Sequence, residues 1–191
     1  MKSRILKYIL IFIVITVINA LLSHFAVLNY SIVPGITEVY FAVAFMIAFT
    51  LWFGLWGAIA AYLGCFIGAG LFDMLPLSIN LYWSFADVWQ VIIPLIAFRF
   101  LNADTGLTTK KDFLIFLIFG IVLNNAVGAA WGTIMYAAAD VITWEHLSTA
   151  FLAWFIGNMI VTAIITTLLL KYVSPYIKKA GLTVNKNWFL D

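Results

Sequence analysis

The chain has 191 residues, 65% of them apolar and 9% charged. Soluble domains run near half apolar and a quarter charged, so a water-soluble globule is excluded. The formal charge of +2 speaks against nucleic-acid binding, and the single cysteine, Cys65, excludes a disulfide framework or a CxxC metal or redox site.

Crossing a hydrocarbon core of about 30 Å takes roughly 20 apolar residues in a helix. On that rule the chain reads as an all-α integral membrane protein, one transmembrane domain over 1–191 with six spans, at about 5–27, 38–54, 56–73, 81–101, 113–137 and 147–171. Lys2, Arg4 and Lys7 precede the first span, but its apolar run is long and lacks a small-x-small cleavage site, so it reads as a retained helix. "NYSIVPGIT" leads to the second span, and "FGLWGA" turns the chain at Gly54 and Gly57 into the third. "DMLPLSIN" precedes the fourth, which carries Trp83, Asp87 and Gln90. After "NADTGLTTKK" the fifth places Gly120, Asn124, Gly128 and Gly132 at intervals of four, with Asn125 and Trp131 alongside. "AADVITWEH" leads to the sixth, with Ala150, Trp154, Asn158, Thr162 and Thr166 in one stripe. From Tyr172 the tail reads as water-soluble and basic.

The charges test this count. With the N-terminus in the cytoplasm, Lys2, Arg4, Lys7, Arg99, Lys110, Lys111, Lys171, Lys178, Lys179 and Lys186 all fall on the cytoplasmic side, as does the C-terminus. Glu38, Asp73, Asp140 and Glu145 fall at the outer edge. An odd number of spans would divide the basic residues between the two sides.

Depth then follows. Trp83, Asp87 and Gln90, spaced by four and three, share one face in the outer half of span four. The stripes of spans five and six bring amides, threonines and tryptophans to the same depth. Interhelical glue accounts equally well for Asn124, Asn125, Asn158 and the threonines, and helix packing accounts for Gly57, Ala61, Gly64 and Gly68, as for Thr16, Asn19 and Ser23. Asp87 is different. An intramembrane carboxylate is costly, and Arg99 lies about 18 Å away along a helix. It is expected to face the bundle interior beside Asn124 or Asn125 and Asn158, whose amides can donate to it. Pro94 removes a backbone donor and frees the carbonyl of Gln90 or its neighbour. A flat heteroaromatic ligand with a cationic or donor group would suit Asp87 among tryptophans, and protons would compete with a cation there as pH falls.

The candidate ligand-binding set is therefore Trp83, Asp87, Gln90, Asn124, Asn125, Trp131, Trp154 and Asn158. Trp144 belongs to an outer aromatic belt, and Trp52 and Trp56 flank the inner turn. His24, Asp140, Glu145 and His146 are read as solvated loop residues, not a metal site. No GxSxG, P-loop or HExxH motif is present, so neither catalysis nor a cofactor is expected.

Six short spans, "FGLWGAIAAYLGCFIGAGLFD" and "IGNMIVTAIITTLLLKYVSPYIKKAGL" together resemble the substrate-binding S-component of energy-coupling factor (ECF) transporters. The resemblance implies uptake of a small vitamin-like or heteroaromatic compound across a prokaryotic plasma membrane. It also implies partners, a transmembrane coupling subunit and ATPases, and a ligand site near the outer face to which the eight residues above correspond. The family's Ala-xxx-Ala docking pair in the first helix has only Thr16 and Ala20 at that spacing here. "VYFAVAFMIAFTLWFGLWGAIAAYLGCFIGAGL" also resembles ligand-sensing membrane domains that signal to a kinase or cyclase partner.

Overall fold

In a computed structural model, residues 2–28, 39–184 and 188–189 are described, with side chains from Ile5 onward. The side chains of Lys2 and Arg4, the "NYSIVPGIT" connection with Glu38, and Lys186 lie outside the described residues. Helix α1 (Lys2–Phe25) runs into a small antiparallel hairpin, β1 (Val27–Leu28) with β2 (Val39–Tyr40), paired Val27 to Tyr40. Then come α2 (Ala42–Phe53) and α3 (Leu55–Cys65), the latter continued by π-helical turns over Phe66–Phe72. Helices α4 (Leu77–Trp83) and α5 (Phe85–Phe100) form one rod, because the amide of Ser84 still bonds the carbonyl of Asn80. Helix α6 (Lys110–Ile115) passes through a π-helical stretch, Phe116–Leu123, into α7 (Asn124–Ala138). Helix α8 (Leu147–Val161) continues through π-helical turns to α9 (Ser174–Lys179).

Five of these rods, Ile5–Phe25, Leu55–Phe72, Leu77–Phe100, Lys110–Ala138 and Trp144–Lys179, are long and apolar enough to cross a membrane. Their exposed faces are apolar too. Leu6, Leu10, Ile13, Val17 and Leu21 recur at three- and four-residue steps on α1, and Leu152, Ile156, Ile160, Ile164 and Leu168 at four-residue steps on the last rod. Hydrocarbon outside and amides inside is what a multi-pass membrane protein presents to lipid.

The expected second span is shorter than its sequence suggests. Helix α2 has 12 residues, about 18 Å of axis, too little to span the hydrocarbon alone. It has no need to, since Ala42, Val43, Ala44, Met46, Ile47 and Ala48 are completely buried. A helix apolar all round belongs in a core, and α2 is the central post against which α1, α3, α5 and α8 pack. Around it α1 lies on α3, α5 on α7 and α7 on α8. Gly64 and Gly68 let α3 close on Asn19, Ala20 and Ser23 of α1, where any side chain would collide.

The tail also departs from expectation. The last rod runs on to Lys179, with Ser174 buried and accepting from the Trp52 indole at 2.8 Å. Beyond it the chain folds back beneath the bundle. The amide of Val184 bonds the Trp52 carbonyl (2.8 Å), and the amide of Leu55 bonds the Trp188 carbonyl (2.8 Å). Arg99 donates to the Val184 carbonyl (2.7 Å) with its guanidinium over the Trp188 ring. Here Gly54 turns the chain with φ of +64°, a conformation few side-chain-bearing residues adopt. The tail is thus held by backbone hydrogen bonds and by Arg99, which reaches both a tail carbonyl and the Trp188 ring, contacts that its basic composition concealed.

Candidate functional site

Trp83 closes α4, while Asp87 and Gln90 lie on the first two turns of α5, all three facing inward. Asp87 is 1% exposed. Its donor comes from an element that sequence reasoning passed over: the Tyr40 hydroxyl, carried on β2, gives its proton to Asp87 Oδ2 at 3.0 Å. Tyr40 has one proton to give, so the Ser23 hydroxyl 2.6 Å away donates to Tyr40. An ordered chain Ser23 to Tyr40 to Asp87 results, with the Cys65 thiol also within reach of the carboxylate. The interior placement of Asp87 was expected, but the amide partners were not found. Asn124 and Asn125 spend their N–H groups elsewhere, and no cation reaches Asp87 among the described residues.

One turn deeper, amides stitch three rods together. Gln90 Nε2 donates to Asn125 Oδ1 (2.8 Å), and Asn125 Nδ2 donates to the Ile121 carbonyl (2.8 Å) and toward Thr162 Oγ1 (3.3 Å). Asn124 Nδ2 donates to the backbone carbonyl of Gln90 at 3.1 Å. Pro94, four residues on, has no N–H to offer that carbonyl. The side chain of a neighbouring helix supplies the missing donor, as the position of the proline implied.

The third wall is α8. Gly132 and Gly128 bring α7 so close that a β-carbon on either would collide with Trp154 or with Gln90. The Trp154 ring tilts against Trp83, with centroids 5.8 Å apart, and Trp83 stacks on Tyr136 at 5.1 Å and 9°. Asn158, fully buried, lies one helical turn from both Trp154 and Thr162.

Several of these polar atoms have no partner among the described residues. They are the donors Trp83 Nε1, Trp154 Nε1 and Asn158 Nδ2, and the acceptors Gln90 Oε1, Asn124 Oδ1 and Asn158 Oδ1. A buried, unsatisfied polar group costs about 1–3 kcal/mol, so this concentration on three facing helices is expensive unless something answers it. Elsewhere Asn19, packed against Gly64, and the Thr50 and Thr105 hydroxyls are also without a partner among the described residues.

Of the eight residues expected to line a site, seven point into this region. Trp131 does not join them. Its indole donates to the Tyr82 carbonyl at 2.8 Å, and its ring meets that of Trp89 on the outer side of α5 and α7. One residue before Gly132, it sits about a quarter-turn off the glycine stripe. Tyr40, Ser23 and Tyr136 join this buried cluster without having been read into it. The usual reading of a tyrosine at a span boundary is an interfacial belt, and only the hairpin turns Tyr40 inward.

At the same end of the bundle His24 Nδ1 and Asp73 Oδ1 lie 2.8 Å apart, and His146 pairs with Thr143 (2.8 Å). These histidines are therefore engaged separately, and among the described residues no three His, Cys, Asp or Glu side chains gather as metal ligands do. Ala20, half of the expected docking pair on α1, is buried against Gly68, and Thr16 bonds back to the Phe12 carbonyl (2.7 Å). Comparison with family models, with curated proteins and with solved structures returns no match.

Proposed function

We propose that this chain is a substrate-binding membrane subunit that takes up a small, flat, vitamin-like or heteroaromatic compound and works with a separate ATP-driven module in a prokaryotic plasma membrane. The observation that carries the reading is the set of unpartnered indole and amide groups on the facing sides of α4–α5, α7 and α8. Two indoles offer faces and donors, while the amides offer both donors and acceptors. That chemistry suits a planar ring with alternating hydrogen-bond groups. Because Asp87 is already held by Tyr40, the ligand has no need of a positive charge. The resemblance to ECF S-components supports the same reading. So does the collection of Arg99, Lys178 and the tail at the end opposite the hairpin, which suits a cytoplasmic location for that end.

Asn158→Leu tests it. The full chain is purified in mild detergent and denatured, and the released small molecules are identified by mass spectrometry. The wild type should release one heteroaromatic compound at near-equal molar amount, and the variant none. The empty variant should unfold later than the empty wild type, because the change removes two unsatisfied polar atoms. A less stable Asn158→Leu protein, or equal small-molecule content, would mean that the amide serves the fold and not a ligand.

A further inference from the structure

Away from this site, α5 and the π-helical stretch Phe116–Leu123 leave a groove of about 330 Å³ on the exterior of the bundle. Ile93, Ile96, Phe100 and Leu101 line one side, Phe119 and Leu123 the other. The stretch from Ile93 to Leu101 covers about 12 Å of axis at 1.5 Å per residue. The groove therefore runs along the helices, the direction in which a lipid chain hangs from its headgroup.

Its two ends differ. At the deep end there is only hydrocarbon. At the Leu101 end the Lys111 ammonium donates to the Leu101 carbonyl at 2.7 Å, which fixes a positive charge at the mouth. That bond uses one of three ammonium protons, leaving two for another acceptor. Lys110, exposed, precedes it. The nearby carboxylates are committed elsewhere. Asp104 pairs with Lys178 at 2.5 Å, and Asp112 accepts from the amides of Asp104 and Thr109 and from the Thr108 and Thr109 hydroxyls. Asp104 is thereby neutralised, whereas Asp112 keeps its charge, since neutral donors do not cancel it. Lys110 and Lys111 against Asp112 still leave one net positive charge at the mouth.

From this juxtaposition we infer that the groove seats an acyl chain of an anionic phospholipid, with Lys110 and Lys111 holding its phosphate. An apolar groove alone accepts any hydrocarbon. A fixed ammonium at its end selects by headgroup charge, as basic pockets between transmembrane helices do. The site is independent of the heteroaromatic site and stands whether or not that reading holds.

The test offers the delipidated full chain equal amounts of phosphatidylglycerol and phosphatidylcholine with identical chains, and counts retained lipids by native mass spectrometry. One phosphatidylglycerol should be held in preference. Lys110→Gln and Lys111→Gln should each lower that preference about fivefold, the equivalent of about 1 kcal/mol per basic side chain near a membrane surface. Leu123→Trp, at a lipid-exposed position that needs no repacking of the core, should lower retention of both lipids. Excess inorganic phosphate should displace neither. Equal retention of the two lipids by the wild type, an unchanged preference in the double lysine variant, undiminished retention in Leu123→Trp, or displacement by phosphate would each overturn the inference.

Discussion

Replacing Gly132 by alanine sets two effects against each other at the wall of the candidate site. Within a helix alanine is preferred to glycine by about 1 kcal/mol. Here, however, the added methyl would land on Cη2 and Cζ3 of Trp154. That ring cannot retreat. It is 7% exposed, Trp83 leans on it, and Trp83 is stacked in turn on Tyr136. Forcing a methyl into packing this close costs about 1–3 kcal/mol. The clash wins, and Gly132→Ala should be less stable by about 1 kcal/mol net. Trp154→Phe deletes the outer ring atoms that the methyl meets. In that background only helix preference remains, and the same alanine should stabilise by up to about 1 kcal/mol. The two changes should therefore couple by about 2 kcal/mol in the rescuing direction, within the range found for residues in contact. Unfolding the four proteins with SDS in mixed micelles, followed by far-UV circular dichroism, measures that coupling. If alanine costs the same in both backgrounds, Trp154 is not what the methyl strikes, and the packing described for this wall is wrong.

Tyr40→Phe removes the hydroxyl that serves Asp87 and should destabilise by about 1–2 kcal/mol in the same unfolding assay, since a buried acceptor loses its donor. With Asp87→Leu already present the tyrosine change should cost far less, and additive effects would disprove the pairing. Arg99→Lys should loosen the tail despite keeping the charge, because an ammonium cannot both reach the Val184 carbonyl and lie flat on Trp188. Faster proteolysis after Leu182, read by mass spectrometry against the wild type, is the expected sign.

What the sequence disclosed was what helical periodicity can carry. Trp83, Asp87 and Gln90 share a face because four- and three-residue steps force them to, and the same arithmetic aligned Asn124 with Gly128 and Trp154 with Asn158. Pro94 announced a free carbonyl, since a missing N–H is written in the residue itself. Partners brought from afar left no such mark. Tyr40 meets Asp87 across 47 residues because a two-residue strand pair turns it inward, and no local pattern specifies that pairing. The central place of α2 was equally hidden, since an apolar helix reads alike whether lipid or protein surrounds it. Trp131 was separable in principle, because it stands one residue off its stripe.

The folded-back tail bears on the order in which the molecule can be completed. The turn at Gly54 is made early in synthesis, yet its neighbours on either side find their backbone partners in Val184 and Trp188. The Trp56 indole waits likewise for the carbonyl of Phe189, 133 residues further along the chain. Until that stretch has left the ribosome, the α2–α3 corner must satisfy those groups with water or with lipid headgroups. The corner is therefore a seam closed only by a stretch made 133 residues later, and synthesis that stops short of it leaves these groups without the partners that close it.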